Sequence, residues 1–181
     1  MTGSYAGPPG LPPSAAPLVL GVVVDGPNYC HLCKALDVRP GIREFIEWLR
    51  ASLEVWCGAD LQLGRLVWSS PAPSGPAGAG LARFLAAVSR MGFDVRTAPR
   101  GHDDDVVTSA ILGLAHEHHV VALVSGDGDF VEPVISARDS GAVVVVVTAD
   151  CPPEFLSSVA LRFAADARLD FADMMEARLV A

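Results

Sequence analysis

Short apolar runs alternate along the chain with stretches in which apolar residues return every three or four positions. The runs are Leu18 to Val24 (LVLGVVV), Leu61 to Trp68, Phe93 to Ala98, Val120 to Val124 and Ala142 to Val147. Each has the length of a strand and reads as an apolar run rather than an in–out alternation, the mark of strands covered on both faces. Between them, Ile42, Phe45, Ile46, Leu49, Leu53 and Trp56 recur at helical spacing, predicting a helix over Gly41 to Trp56. Leu81, Phe84, Leu85 and Val88 do the same over Leu81 to Met91, with Gly92 as the stop signal. Further helices are expected over Asp103 to His116, Phe130 to Ser140 and Glu154 to Ala165. Asp25-Gly26-Pro27-Asn28 reads as a turn and Ser69 to Gly80 (SSPAPSGPAGAG) as a loop. Strands alternating with helices imply an α/β domain with a central, mostly parallel sheet of about five strands and helices on both faces.

Composition supports one folded unit. The 181 residues are 51% hydrophobic and 19% charged, the opposite of the balance that keeps a chain disordered. Residues 1–16 are rich in Pro, Gly, Ser and Ala and carry neither Lys nor Arg. They read as a flexible tail rather than a secretory signal, and the domain is expected over 17–175, with 176–181 a C-terminal end. The longest apolar run, Ala142 to Val147, is far short of a membrane span. The four cysteines, Cys30, Cys33, Cys57 and Cys151, are too few and scattered for a disulfide scaffold and read as reduced thiols of a cytoplasmic protein. Cys30 and Cys33 form one C-x-x-C without a second pair, so they read as small apolar-like side chains at a helix start rather than zinc ligands.

The net charge of −8 runs against a general polyanion binder, which needs a basic stripe. It also draws attention to where the acids lie. Asp25 follows the first strand, Asp103 to Asp105 open the helix after the third, and Asp127 and Asp129 follow the fourth. In an open parallel sheet with right-handed crossovers these three loops share the carboxyl edge, where ligands bind. Carboxylates gathered there repel one another unless protonated or neutralised by a cation. Mg²⁺ and Mn²⁺ take such hard oxygen ligands and leave positions for phosphate oxygens, which suits metal-assisted hydrolysis of a phosphate ester. A capping role competes at Asp103 and at Asp129, where Asp129-x-x-Glu132 has the form of a capping box. Asp104 and Asp105 read as surface charge. His116, His118 and His119 lack H-E-x-x-H spacing and read as residues favourable at a helix C-terminus. Ser125 sits in no G-x-S-x-G, and Gly126 and Gly128 come without a Walker lysine.

Several segments together resemble the NYN domains of the PIN-like nuclease superfamily. Val22-Val23-Val24-Asp25-Gly26-Pro27-Asn28 is similar to the family's opening strand and D-G-x-N turn, and Arg100-Gly101-His102-Asp103 to its K-G-x-D helix start. Val124-Ser125-Gly126-Asp127-Gly128-Asp129-Phe130 resembles the S-G-D-x-D-F signature, continued by Ser140-Gly141 and a valine strand. Ala164-Ala165-Asp166 and Leu169-Asp170-Phe171 resemble the closing A-D-x-F segment. The resemblance implies a Rossmann-like PIN fold and a Mg²⁺- or Mn²⁺-dependent ribonuclease. Carried over, Asp25, Asp103 and Asp127 would hold the metal with Asp129 beside them as a further catalytic acid. Asn28 would orient Asp25 or meet substrate, Ser125 would support the loop, and Arg100 would stand for the lysine near the phosphates. Lys34, Arg39 and Arg43 are further cations that could help RNA approach a negative chain. Ser109 departs from the pattern, because many members carry an acid six residues after the K-G-x-D aspartate; either Asp104 or Asp105 substitutes for it from a different angle, or the site holds metal more weakly. Two functions are therefore expected: a metal-dependent ribonuclease, or a weak or inactive NYN module that binds RNA or a protein partner, with homo-oligomers also open.

Overall fold

A computed structural model describes residue 11 and residues 17–76, 78–149 and 157–174. Six strands form one sheet: β1 (Leu18–Asp25), β2 (Leu61–Pro71), β3 (Phe93–Ala98), β4 (Val120–Val124), β5 (Val143–Thr148) and β6 (Ala167–Asp170). Their order is β3-β2-β1-β4-β5-β6, and every neighbouring pair is parallel. The α/β reading holds, with six strands and a wholly parallel sheet in place of about five and mostly parallel. The chain builds outward from β1 in one direction, then returns to build outward in the other. The gap between β1 and β4 is therefore the switch point at which doubly wound folds bind ligands.

Six helices cover the sheet: α1 (Gly26–Ala35), α2 (Ile42–Cys57), α3 (Gly78–Arg90), α4 (Asp103–Glu117), α5 (Val131–Asp139) and α6 (Val159–Ala164). Strand residues alternate between two cores. Leu20, Val22 and Val24 pack with Tyr29 of α1, Phe45 and Leu49 of α2 and Leu85 of α3. Val23, Val121 and Leu123 pack with Ile111 and Leu114 of α4, Val134 of α5 and Leu161 of α6. Three helices thus lie on each face, which is why β1, β4 and β5 are apolar at almost every position.

The boundaries differ from the sequence pattern in ways that have causes. Asp25-Gly26-Pro27-Asn28 opens α1 rather than forming a free turn: Asp25 is the N-cap, accepting from the Asn28 N–H, and Pro27 sits in the first turn where no donor is needed. β2 continues through Ser69 and Ser70 to Pro71, and α3 begins at Gly78, so the Pro/Gly/Ser loop is shorter than its composition suggests. Before α5 a single 3₁₀ turn, Gly128–Phe130, forms first, and Pro133 falls in the first turn of the helix that follows. The unexpected strand β6 has a half-buried sequence, ARLD, with no apolar run to announce it. Residues 154–156 of the expected last helix, Cys151, and the segments 176–181 and 1–16 apart from Leu11 lie outside the described residues.

The His-rich end of α4 is structural, and it acts through the backbone rather than through charge. His118 Nε2 accepts from the Arg65 N–H at 3.1 Å while Nδ1 lies 3.2 Å from the Leu114 carbonyl, an arrangement that suits a neutral ring protonated at Nδ1. His119 Nδ1 accepts from the Val19 N–H at 3.2 Å. The His118 ring packs over Gly21 and Gly64; a Cβ at Gly64 would overlap the ring, and one at Gly21 would crowd it at 3.2 Å.

Candidate functional site

β1 is buried along almost its whole length, so the carboxylate that ends it is held at the sheet edge with 4% of its surface exposed. Asp25 Oδ2 accepts from Ser125 Oγ at 2.9 Å and from Asn28 Nδ2 at 2.6 Å, and Oδ1 accepts from the Asn28 N–H at 3.3 Å. Each partner reaches onward across the switch point. Ser125 Oγ accepts from the Asp127 N–H at 3.1 Å, and Asn28 Oδ1 accepts from the Gly126 N–H at 3.3 Å. Asp127 Oδ1 in turn caps the 3₁₀ turn by accepting from the Asp129 N–H at 3.0 Å. The D-G-x-N and S-G-D segments thus form one hydrogen-bonded unit joining the ends of β1 and β4. Gly26 is required within it, because a Cβ there would lie 2.6 Å from both the Ser69 carbonyl oxygen and Trp68 Nε1.

α4 enters from the other side. The fully buried Ser69, at the end of β2, donates from Oγ to the Asp103 carbonyl at 3.3 Å and so ties the start of α4 to the sheet edge. Asp103 is half-buried and Asp104 and Asp105 are exposed. Burial raises the Asp25 carboxyl above its ordinary value of 3.8; the bonds from Asn28 and Ser125 oppose this, and the charge of Asp104 adds to it. Asp104 is itself raised, by partial desolvation and then by the charges of Asp103, Asp127, Asp129 and Asp105. Read as surface charge from the sequence, Asp104 is the helix acid whose field reaches Asp25, Asp127 and Asp129. A run of three aspartates could not reveal which one turns toward the edge; that depends on where the first turn of α4 starts. Asp105 turns away, its Oδ2 3.8 Å from His102 Nδ1, and Ser109 is exposed.

The remaining candidates divide. Ser125 and Asn28 are integral to the unit around Asp25. Arg100 is exposed in the loop before α4, close to the edge in sequence and in space. Lys34 is not gathered: it lies in the last turn of α1, which starts at Asp25 and runs away from it, roughly 12 Å along the axis from Gly26 to Lys34 at 1.5 Å per residue. Cys30 and Cys33 lie within α1, exposed and half-buried respectively.

The carboxylates fit a hard divalent cation in kind, since all are oxygen donors and their mutual repulsion is what a cation would relieve. They do not form a closed cage: among the described residues no three His, Cys, Asp or Glu side chains converge into a metal-holding group.

A family model described as the NYN domain matches residues 19–172. A crystal structure of a protein of unknown function from Vibrio parahaemolyticus superposes with a TM-score of 0.70, covering 89% of this chain and 97% of that one at 23% identity; at that identity the likeness bears on the fold alone. No curated protein matches the sequence. No helix among the described residues is long and apolar enough to cross a membrane.

Proposed function

The chain belongs to the NYN domain family, whose members share a nuclease-like fold, and from that premise we propose that it is a divalent-metal-dependent ribonuclease. The observation that carries the reading is the state of Asp25: a carboxylate buried at the switch point, in the field of Asp104, and held by Ser125 and Asn28. Burying a carboxylate costs stability even when it caps a helix and is hydrogen-bonded, and acids perturbed in this way cluster at functional sites.

Asp25, Asp127 and Asp103 are the proposed metal ligands, with Asp104 taking its place beside or instead of Asp103 and Asp129 close by. An ion of Mg²⁺ or Mn²⁺ bound by them would polarise the phosphodiester and lower the pKa of a water for in-line attack. The protein's own part is positional. Ser125 and Asn28 hold the Asp25 carboxylate in one orientation and leave Oδ1 less encumbered than Oδ2. Asp127 is aimed by the same serine through its N–H. Asp129 and Asp104 are open to solvent at the edge. Arg100 supplies positive charge where substrate phosphates would lie.

Labelled single-stranded RNA incubated with Mn²⁺ tests the reading. Cleavage is expected from the unmutated protein and a loss of at least a hundredfold from Asp127→Asn. Equal rates would assign the activity elsewhere. A second reading, a catalytically weak module that binds RNA or a protein partner, draws on the net charge of −8 and the open spacing of the acids. RNA binding with neither cleavage nor Mn²⁺ uptake would select it.

A further inference from the structure

Two cavities lie side by side along the carboxyl end of β2, next to the acid edge. The first, about 370 Å³, is lined by Gly26, Pro27, Trp68, Pro71, Leu81 and Phe84 among others, and no charged side chain lines it. The second, about 430 Å³, shares Pro71 and Leu81 with the first and ends at Pro99 and Arg100. Together they form a groove that starts beside Asp25, whose neighbours Gly26 and Pro27 are its wall, and ends at an exposed guanidinium. The charge of Asp25 is felt within it, because the thiol of Cys30, another lining residue, is raised first by burial and then by Asp25. Phe84 stands with an edge toward the Trp68 indole, ring centroids 5.5 Å apart and planes at 69°, and keeps 36% of its surface exposed.

We propose that this groove receives two consecutive unpaired bases of the nucleic-acid strand whose phosphate lies at the aspartates. The inference rests on the nuclease reading and adds where the bases of the strand lie. An apolar floor with an exposed aromatic ring offers stacking without base-specific hydrogen bonds, which is how sequence-tolerant single-strand binders hold bases. A cavity of this size admits one flat heteroaromatic ring system. Arg100, which makes no ion pair among the described residues, can pair with the next phosphate. A duplex keeps its base faces stacked inside and cannot enter.

Fluorescence polarisation of a labelled ten-nucleotide oligouridylate in EDTA, where no metal-dependent cleavage occurs, tests the groove. The single strand should bind at least tenfold more tightly than the same strand paired with oligoadenylate. Phe84→Ala should weaken single-strand binding on the order of tenfold. Gly80→Glu is the second variant, because Gly80 lines the first cavity, lies in α3 and has open space around its Cβ position, so the fold tolerates the change while a carboxylate enters the mouth. It should abolish binding. Equal affinity for strand and duplex, indifference to both variants, or no binding by the unmutated protein overturns the assignment and leaves the groove to a peptide. Phe84-dependent binding by a protein that cleaves nothing in Mn²⁺ removes the ribonuclease reading and leaves the groove standing.

Discussion

Ser125→Ala removes the one hydroxyl that serves both halves of the candidate site. Ser125 is fully buried; its Oγ donates to Asp25 Oδ2 at 2.9 Å and accepts from the Asp127 N–H at 3.1 Å. A hydrogen bond to a charged group contributes about 1.5–3 kcal/mol, and leaving the half-buried Asp127 N–H without a partner costs about 1 kcal/mol more. The expected loss is therefore about 2.5–4 kcal/mol near pH 7.5, read from urea unfolding. The sign with pH follows from Asp25. Its folded-state carboxyl titrates above the ordinary value of 3.8, so the fold favours the protonated form. That increment of stability is complete below the unfolded value and is lost as pH rises through the folded one. Ser125 offsets part of that loss by stabilising the charged form, so its deletion should matter most where Asp25 is ionised and least in acid. In an Asp25→Asn background the cost should fall by at least about 1.5 kcal/mol, the size of the charge-assisted bond. A cost below about 1 kcal/mol, or one identical in both backgrounds and at both pH values, would refute the claim that Ser125 exists to hold a charged Asp25.

Asp104→Asn tests which helix acid serves the site. In the absence of metal it should leave stability unchanged or raised above pH 6, since it removes a charge that lifts Asp25. In Mn²⁺ it should reduce the stabilisation by about 1.4 kcal/mol for each tenfold loss of affinity, measured as the shift in thermal midpoint. A shift equal to that of the unmutated protein returns the role to Asp103. Gly64→Ala tests the histidine plug on the far edge: the new Cβ would overlap the His118 ring and lie 2.7 Å from Val19 Cγ1. The expected loss is about 1–3 kcal/mol in urea unfolding with RNA cleavage per folded molecule unchanged; a loss of cleavage would tie this edge to the site.

What the sequence could disclose depended on where each signal is written. β1, β4 and β5 are buried on both faces, so their apolar runs mark them directly, and the parallel α/β architecture follows from those runs and the helices between them. β3 and β6 stand at the sheet's two edges, where half-buried sequences such as FDVRTA and ARLD suffice. The first shows enough apolar character to be found; the second, four residues long, does not. The turn reading of Asp25-Gly26-Pro27-Asn28 failed for a related reason. Gly and Pro punctuate turns, but Pro in a first turn also starts helices, and only the Asp25 cap distinguishes the two.

The acids show the same limit at the level of chemistry. Topology brings Asp25 and Asp127 to one edge whatever their identity, because both directly follow strands that neighbour each other in the sheet. Ser125 and Asn28 look like loop residues in sequence, and their role emerges only when Oγ and Oδ1 are seen to span from β1 to the β4 loop. Asp103, Asp104 and Asp105 are equivalent by spacing, and a helix advances about 100° per residue, so a single residue of uncertainty at the start of α4 exchanges a ligand for a surface charge. The Ser69 bond to the Asp103 carbonyl pins the backbone of Asp103 to the sheet, and the Asp104 carboxylate lies in the field of Asp103, Asp127 and Asp129. Ser109, six residues after Asp103, is exposed and carries no charge. Counted from Asp104, the residue six further on is Ala110, which is buried. Neither position carries an acid, so the negative charge gathered at this edge is that of Asp25, Asp103, Asp104, Asp127 and Asp129.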